Sequence, residues 1–304
     1  MTAPILVTGG SGQLARALEA SACKRGLALR RVGRPDFDFD RPATIAATFD
    51  AARPWLVVNA AAYTAVDAAE RDAEAAMGAN RDGPTRLAEL CEGSGIPLIH
   101  VSTDYVFDGN KGAPYVETDP TLPTSVYGAS KLAGEQAALA LCRKAIVLRT
   151  SWVYSPGGRN FVLTMLNAAR KTDRLRVVAD QRGCPTAAAD LADAILGIAA
   201  RLDRGWRDDY AGLYHACGGG WTTWHGLATA IFEEAARHGA AVPTVAAIAT
   251  ADWPTPARRP PDSRLDCSKL ERVFGLRLPP WRAGLARTID AIFSAEKSLS
   301  PVQA

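Results

Sequence analysis

A doubly wound α/β fold, in which helices cover both faces of a parallel sheet and a smaller α+β lobe follows, is the architecture this sequence predicts. Three observations predict it. Short apolar runs alternate with longer helical patterns through the first half, as repeated βαβ units do. A glycine-rich turn joins the first apolar run to the first helical one, the place where such folds bind phosphate. After Arg149 the rhythm gives way to loops rich in glycine and proline, which mark a second lobe.

Strands are expected at residues 5–8, 27–32, 56–60, 98–102 and 145–149, each a short apolar run of the kind that a sheet buried on both faces needs. Helices are expected at 13–25, 44–52, 68–93 with a break near Met77, and 126–141, all rich in Ala, Leu, Glu or Arg. Residues 1–150 then form the nucleotide-binding domain, and 151–304 form mainly the substrate lobe, with interleaved boundaries. In the second part, helices are expected at 161–171, 187–202, 223–238 and 283–293. The first two of these are expected to pack on the nucleotide domain, and the residues after Glu296 to fray. The sequence shows no internal repeat and no low-complexity segment.

Composition excludes several classes of function. With 304 residues, 48% apolar and 22% charged, the chain can bury a large core. Its net charge of +3 arises from 35 basic and 32 acidic residues scattered without blocks, so nothing calls for nucleic acid as a partner. No apolar stretch approaches the roughly 18 residues that cross a bilayer. The first strand begins almost at Met1, leaving no room for a cleaved leader, so a cytoplasmic location is expected. Six widely spaced cysteines form no C-x-x-C pair; they read as buried or idle thiols, and no metal site is expected.

The first turn reads Gly9-Gly10-Ser11-Gly12-Gln13-Leu14-Ala15. Glycine at 9 and 12 lets main-chain N–H groups approach a pyrophosphate, Gln13 and Leu14 open the helix whose N-terminus faces it, and the small Ala15 allows close packing of helix on strand. Together these are the marks of a Rossmann-type dinucleotide site. About twenty residues on, where an acid would hold the ribose 2′-hydroxyl of NADH, stands Arg34, a side chain suited to a 2′-phosphate. NADPH is therefore the expected cofactor, with NADH an open alternative and an exposed loop charge the plain reading of Arg34. Asp38 and Phe39 follow, placed to flank the adenine.

Two further features supply chemistry. Tyr127 and Lys131 lie four residues apart at the start of a predicted helix and share one face. The apolar run ending in Ser102-Thr103-Asp104-Tyr105 places hydroxyls at the carboxyl edge of the sheet. Thr103 can hydrogen-bond a substrate oxygen, Tyr127 can donate its phenolic proton, and the Lys131 ammonium can favour the phenolate. These are the parts that carbonyl reduction needs.

With these motifs the chain resembles the extended short-chain dehydrogenases/reductases. The resemblance extends through Val58–Asp67, Ser102–Gly109, Arg149–Tyr154, Asp180–Thr186, Tyr214–Ala216 with Trp221–Trp224, and Arg258–Asp266. It implies reduction of the 4-keto group of dTDP-4-dehydro-β-L-rhamnose, a nucleotide-sugar substrate, by a monomer or weak homodimer. By the same resemblance, Tyr127 is the general acid, Lys131 holds the nicotinamide ribose and Thr103 steadies the keto oxygen. Asn59, Ala60, Ala61, Ala62 and Asn80 would line the cofactor side. Tyr63, Thr64, Val66, Tyr105 and Trp152 would surround the sugar, and Gln181 and Arg259 would meet the thymidine diphosphate. Some members are said to bridge subunits through a metal held by acidic residues. The corresponding first-helix position here is Ala17, so no such metal is expected.

Three rivals share parts of this pattern. A 4,6-dehydratase would show Asp-Glu after the strand-end Thr, whereas Tyr105 follows Asp104 here. A 4-epimerase shares the Tyr-Lys pair. From another class, the chain also resembles the regulatory subunit of methionine adenosyltransferase, a binding partner not known for hydride transfer.

Overall fold

The computed structural model describes residues 3–299. Its first half runs β1 (Ile5–Thr8), α1 (Gln13–Lys24), β2 (Leu29–Arg31), α2 (Pro42–Ala52), β3 (Leu56–Asn59), α3 (Val66–Ala69), α4 (Ala73–Met77), α5 (Gly83–Ser94), β4 (Leu98–Thr103), α6 (Val126–Leu141) and β5 (Ala145–Thr150). There follow β6 (Val153–Tyr154), α7 (Phe161–Ala169), β7 (Arg174–Val178), β8 (Arg182–Gly183), β9 (Thr186–Ala187), α8 (Ala188–Leu202), β10 (Gly212–His215), β11 (Thr222–Thr223), α9 (Trp224–Ala236), β12 (Thr244–Ile248), α10 (Ser268–Phe274) and α11 (Trp281–Leu299).

Six strands form one sheet in the order β2-β1-β3-β4-β5-β10, with every neighbouring pair parallel. Chain order reverses between β1 and β3, so a crevice opens beyond their carboxyl ends. Alternation along each strand feeds two cores. Ile5, Val7, Leu56, Val58, Ile146 and Leu148 pack with α1 and α8, whereas Leu6, Val57, Leu98 and Val147 pack with α2, α5 and α6. Both faces of β1, β3, β4 and β5 are thus largely apolar, which is why these strands read as apolar runs, whereas β2 at the sheet edge carries Arg30 and Arg31.

The five expected strands and the helix at 126–141 are present, with the second strand shortened to Leu29–Arg31. Several expectations need correction. The sheet has a sixth strand, β10, supplied by the second half of the chain. The helix expected at 68–93 is divided, and its break near Met77 is a wide π turn, Gly78–Asp82, leading directly into α5. α8 packs on α1, and α7, whose cap Asn160 bonds to Gln13 of α1, does not bury its apolar face there. Val162 and Leu166 sit instead in a separate core with Leu227, Ile231, Phe232, Leu285 and Ile289 of α9 and α11. A short parallel pair, β7 with β12, flanks that core and was not foreseen. The last helix continues through Leu299; the rest of the expected frayed tail lies outside the described residues. No helix among the described residues is long and apolar enough to cross a membrane.

The placement of α6 decides where its Tyr and Lys go. Ser125 caps it, its Oγ accepting from Gly128 N at 3.1 Å, and Glu70 Oε1 accepts from Val126 N at 2.9 Å. A Cβ at Gly128 would lie 2.3 Å from the carbonyl oxygen of Tyr105, and one at Gly134 would lie 2.0 Å from that of Asn80. The helix therefore rests on bare main chain. Between these contacts and the helix end, Glu135 pairs bidentately with Arg149 of β5, both side chains 2% exposed. Elsewhere in a helix, Gly→Ala gains about 1 kcal/mol of propensity. At Gly134 the overpacking cost of about 1–3 kcal/mol should win, so Gly134→Ala is expected to lower the urea midpoint; unchanged or raised stability would show that the helix does not sit this close.

Candidate active site

The crevice at the sheet's carboxyl edge is a cleft of about 970 Å³. One end is the glycine turn. Gly9 has φ +104°, and a Cβ there would stand 2.8 Å from the Ala60 carbonyl oxygen of β3's outgoing loop. Gly10 and Gly33 meet across the turn so closely that a Cβ on Gly33 would lie 2.4 Å from Gly10 Cα. The missing side chains leave a groove of main chain at the N-terminus of α1, whose first turn carries no acid, and this suits an anionic ligand.

The other end gathers the expected catalytic residues. Thr103 ends β4, Tyr127 and Lys131 come from the first turns of α6, and all three line the cleft. Desolvation pushes the Tyr127 phenol up to about 12, against an opposing, smaller influence of the Thr103 hydroxyl. Lys131 is 2% exposed and donates to the Val101 carbonyl at 2.6 Å. Burial pulls its ammonium down to about 8, against the opposing pull of Glu135. Thr103 Oγ1 accepts from Tyr105 N at 3.2 Å and faces Asp104 Oδ1 at 3.2 Å.

Asp104 is the hub of this wall. Its carboxylate also accepts from Ser151 Oγ at 2.8 Å and Ser263 Oγ at 2.5 Å, tying β4 to β5 and to the 258–266 segment. Burial nevertheless pushes it up to about 6. Trp152 beside it holds φ +47°, a strained conformation for a bulky residue. It stacks on Trp224 at 3.5 Å and fills the space that a Cβ on Gly183 would need.

Of the residues expected from sequence, Gly9, Gly12, Gln13, Leu14, Arg34, Phe39, Ala60, Ala61, Ala62, Tyr63, Thr64, Val66, Thr103, Tyr105, Tyr127, Lys131 and Trp152 all line the cleft. Five stand behind it instead. Buried Asn59 accepts from Thr8 Oγ1 at 2.5 Å and meets His100 Nδ1 at 2.9 Å. Asn80, in the π turn, clamps the main chain of Tyr63 on both sides, at 2.8 and 3.0 Å. Asp38 accepts from Asp40 N at 3.1 Å and is engaged by Arg34 and Arg41, and against the opposing pull of burial these hold its carboxyl below the usual range. Gln181 accepts from Trp224 Nε1 at 3.1 Å, and Arg259 pairs with Asp67 at 2.9 Å. Arg34 lines the mouth while bonded to Asp38 and Asp40.

Gly10, Gly33, Arg16, Phe37, Ser151, Arg159 and Trp224 also line the cleft and were missed. For Gly10 and Trp224 the signal was present, inside motifs read for other residues. For Arg159 none was, because only the fold brings its loop over α1.

The Asp104 carboxyl makes acid stability a test of this geometry. A folded-state value of about 6 against an ordinary 3.8 means that folding takes up a proton. The group's contribution is full below the ordinary value and declines as pH rises through about 6, by at most about 3 kcal/mol. Urea midpoints followed across that window should fall with pH more steeply in the wild type than in Asp104→Asn; parallel profiles would refute the shift.

Comparison with known proteins bears on what this cleft does. The family model described as the RmlD substrate binding domain matches residues 2–294. The chain is similar to a dTDP-4-dehydrorhamnose reductase from Sinorhizobium fredii, 46% identical over 288 residues that make up 95% of this chain and 97% of that one. Against the Escherichia coli K12 enzyme of that name it is 42% identical over 296 residues, 95% and 98% of the two chains. Among solved structures, a dTDP-4-dehydrorhamnose reductase from Clostridium acetobutylicum superposes with TM-score 0.88 at 35% identity, covering 95% of this chain and 99% of that one. One from Bacillus anthracis, solved in complex with NADP, gives 0.87 at 32%, covering 96% and 100%. A UDP-glucose 4-epimerase from Thermus thermophilus shares the fold at 23% identity.

Proposed function

The chain belongs to the RmlD substrate binding domain family, and from that membership we propose that it reduces the 4-keto group of dTDP-4-dehydro-β-L-rhamnose with NADPH, giving dTDP-β-L-rhamnose in the last step of dTDP-L-rhamnose synthesis. The observation that carries the reading is the convergence of Thr103, Tyr127 and Lys131 on the cleft that also contains the glycine groove. The same reading takes the protein as a cytoplasmic enzyme, monomeric or weakly dimeric, acting on a small nucleotide sugar.

The residues present fit a nicotinamide dinucleotide. The groove at Gly9 would be filled by any side chain there, and the buried hydroxyls of Ser102 and Thr150, both lining the cleft, have no partner among the described residues. Gly9, Gly12, Gln13 and Leu14 would hold the pyrophosphate, Arg34 the 2′-phosphate, Phe39 the adenine, and Ala60 to Ala62 the inner ribose, with Asn59 and Asn80 bracing that wall. When bound, the reduced nicotinamide supplies the hydride.

Tyr127 supplies the proton. A phenol held at about 12 remains protonated at neutral pH and can pass its proton to the oxygen as negative charge develops there. Lys131, still charged below about 8, lowers the cost of the phenolate left behind and would hold the ribose hydroxyls. Thr103 steadies the keto oxygen. Tyr63, Thr64, Val66, Tyr105 and Trp152 would enclose the sugar, with Trp152 fixed in place through Trp224 and Gln181. Arg259, paired with Asp67 behind the cleft, would meet the nucleotide diphosphate only after turning from that partner.

Pure protein should oxidise NADPH only when the dTDP-linked 4-keto-6-deoxy-L-sugar is supplied, followed at the reduced-nicotinamide absorbance; no oxidation would overturn the assignment. Tyr127→Phe should keep dinucleotide affinity and lose turnover by roughly 10² or more, and equal activity would remove Tyr127 from the reaction. In the wild type, kcat/KM should decline as pH rises through about 8 with loss of the Lys131 charge. A profile flat to pH about 10 would show that this charge has no part in the rate.

A further inference from the structure

The loop between β6 and α7, residues 155–160, belongs by sequence to the second lobe but lies on the first turn of α1. Gln13 holds it there. Its Oε1 accepts from Ser155 Oγ at 2.8 Å and from Asn160 Nδ2 at 2.9 Å, and its Nε2 donates to the Arg159 carbonyl at 3.3 Å. Gly158, at φ +84°, brings the loop so close that a Cβ there would lie 3.2 Å from Gln13 Cγ and 3.3 Å from an Arg16 guanidinium nitrogen. Three hydrogen bonds to a single amide fix the position of a loop that is otherwise exposed.

This anchoring brings two cations to one end of the cleft. Arg16, on the first turns of α1, and Arg159, on the loop, both line it beside Gly9 to Gly12. Among the described residues, neither guanidinium donates to a protein acceptor, and no acid sits in the first turn of α1. Arg34, by contrast, already bonds to Asp38 and Asp40. Guanidinium forks left unpaired next to a main-chain N–H groove match the geometry of a diphosphate bridge.

We propose that Arg159, presented by the Gln13-anchored loop and acting with Arg16, clamps the pyrophosphate of the dinucleotide beside the glycine turn. The inference rests on the dinucleotide-dependent reading above and assigns a contact from the second lobe to the cofactor. Arg159 reads the diphosphate common to both nicotinamide dinucleotides, whereas Arg34 reads the 2′-phosphate found in only one.

Calorimetric titration of the full chain with NADP+, NAD+, ADP and adenosine 2′-monophosphate tests the proposal without turnover. Arg159→Ala should raise Kd for NADP+, NAD+ and ADP by a similar factor, roughly 10-fold at low salt and less as salt screens the charge. Adenosine 2′-monophosphate should bind as before. Arg159→Lys should recover part of the loss, and Arg34→Ala should weaken only the ligands that carry a 2′-phosphate. If Arg159→Ala weakened NADP+ but not NAD+, the residue would be a 2′-phosphate reader and the proposal would be wrong; unchanged affinity for all four ligands would equally overturn it. A wild-type chain that binds neither dinucleotide would instead sink the functional reading on which the inference stands.

Discussion

The close approach of α6 to main chain is the constraint on which the site depends. A helix that meets its neighbours through side chains keeps its axis about 8–10 Å away. At Gly128 and Gly134 no side chain intervenes, and the carbonyls of Tyr105 and Asn80 occupy the space a Cβ would take. The helix is thereby lowered onto the carboxyl edge of the sheet, and Tyr127, just before the first of those glycines, and Lys131, between the two, line the cleft with Thr103 at the end of β4. The buried Glu135–Arg149 pair fixes the helix to β5. Such a pair contributes little net stability because of desolvation, yet it is costly to break, so its effect here is on register.

The opposite wall is built by a different method. Asp104, Ser151 and Ser263 form a buried hydroxyl–carboxylate cluster that joins three segments distant in sequence. The cluster fixes Thr103 through its neighbour and Trp152 through the residue before it. A strained Trp152 backbone, a Trp-Trp stack and a glutamine behind the second indole complete that wall. Helical glycine contacts position one half of the chemistry, and buried polar bonds position the other.

Much of this was legible in the sequence, for identifiable reasons. β1, β3, β4 and β5 were readable because both faces of a parallel sheet are apolar, and α6 because its cap and its pattern agree. Tyr127, Lys131 and Thr103 were readable because local spacing determines their geometry. What was not legible depends on contacts between distant segments. β10 is four residues long and lies beyond the second lobe's first helices. The packing of α7 against α9 and α11 follows from an apolar face whose partner no local signal names. Asn59, Asn80 and Gln181 were expected to meet the ligands directly, but the structure places them behind the residues that line the cleft, bonded to other parts of the protein.

The sixth strand has a consequence for how the molecule is made. β10 pairs with β5 along its whole length, from Gly212 against Ile146 to His215 against Arg149. A nascent chain that has emerged only as far as Thr150 therefore ends in an unprotected edge strand, with bare N–H and C=O groups facing water. α8, which covers one face of the sheet, has also not yet left the ribosome at that point. The dinucleotide half cannot close as an autonomous vectorial unit. Its completion waits for about the first two thirds of translation, and a gene fragment cut at the apparent domain boundary would yield a sticky, aggregation-prone sheet.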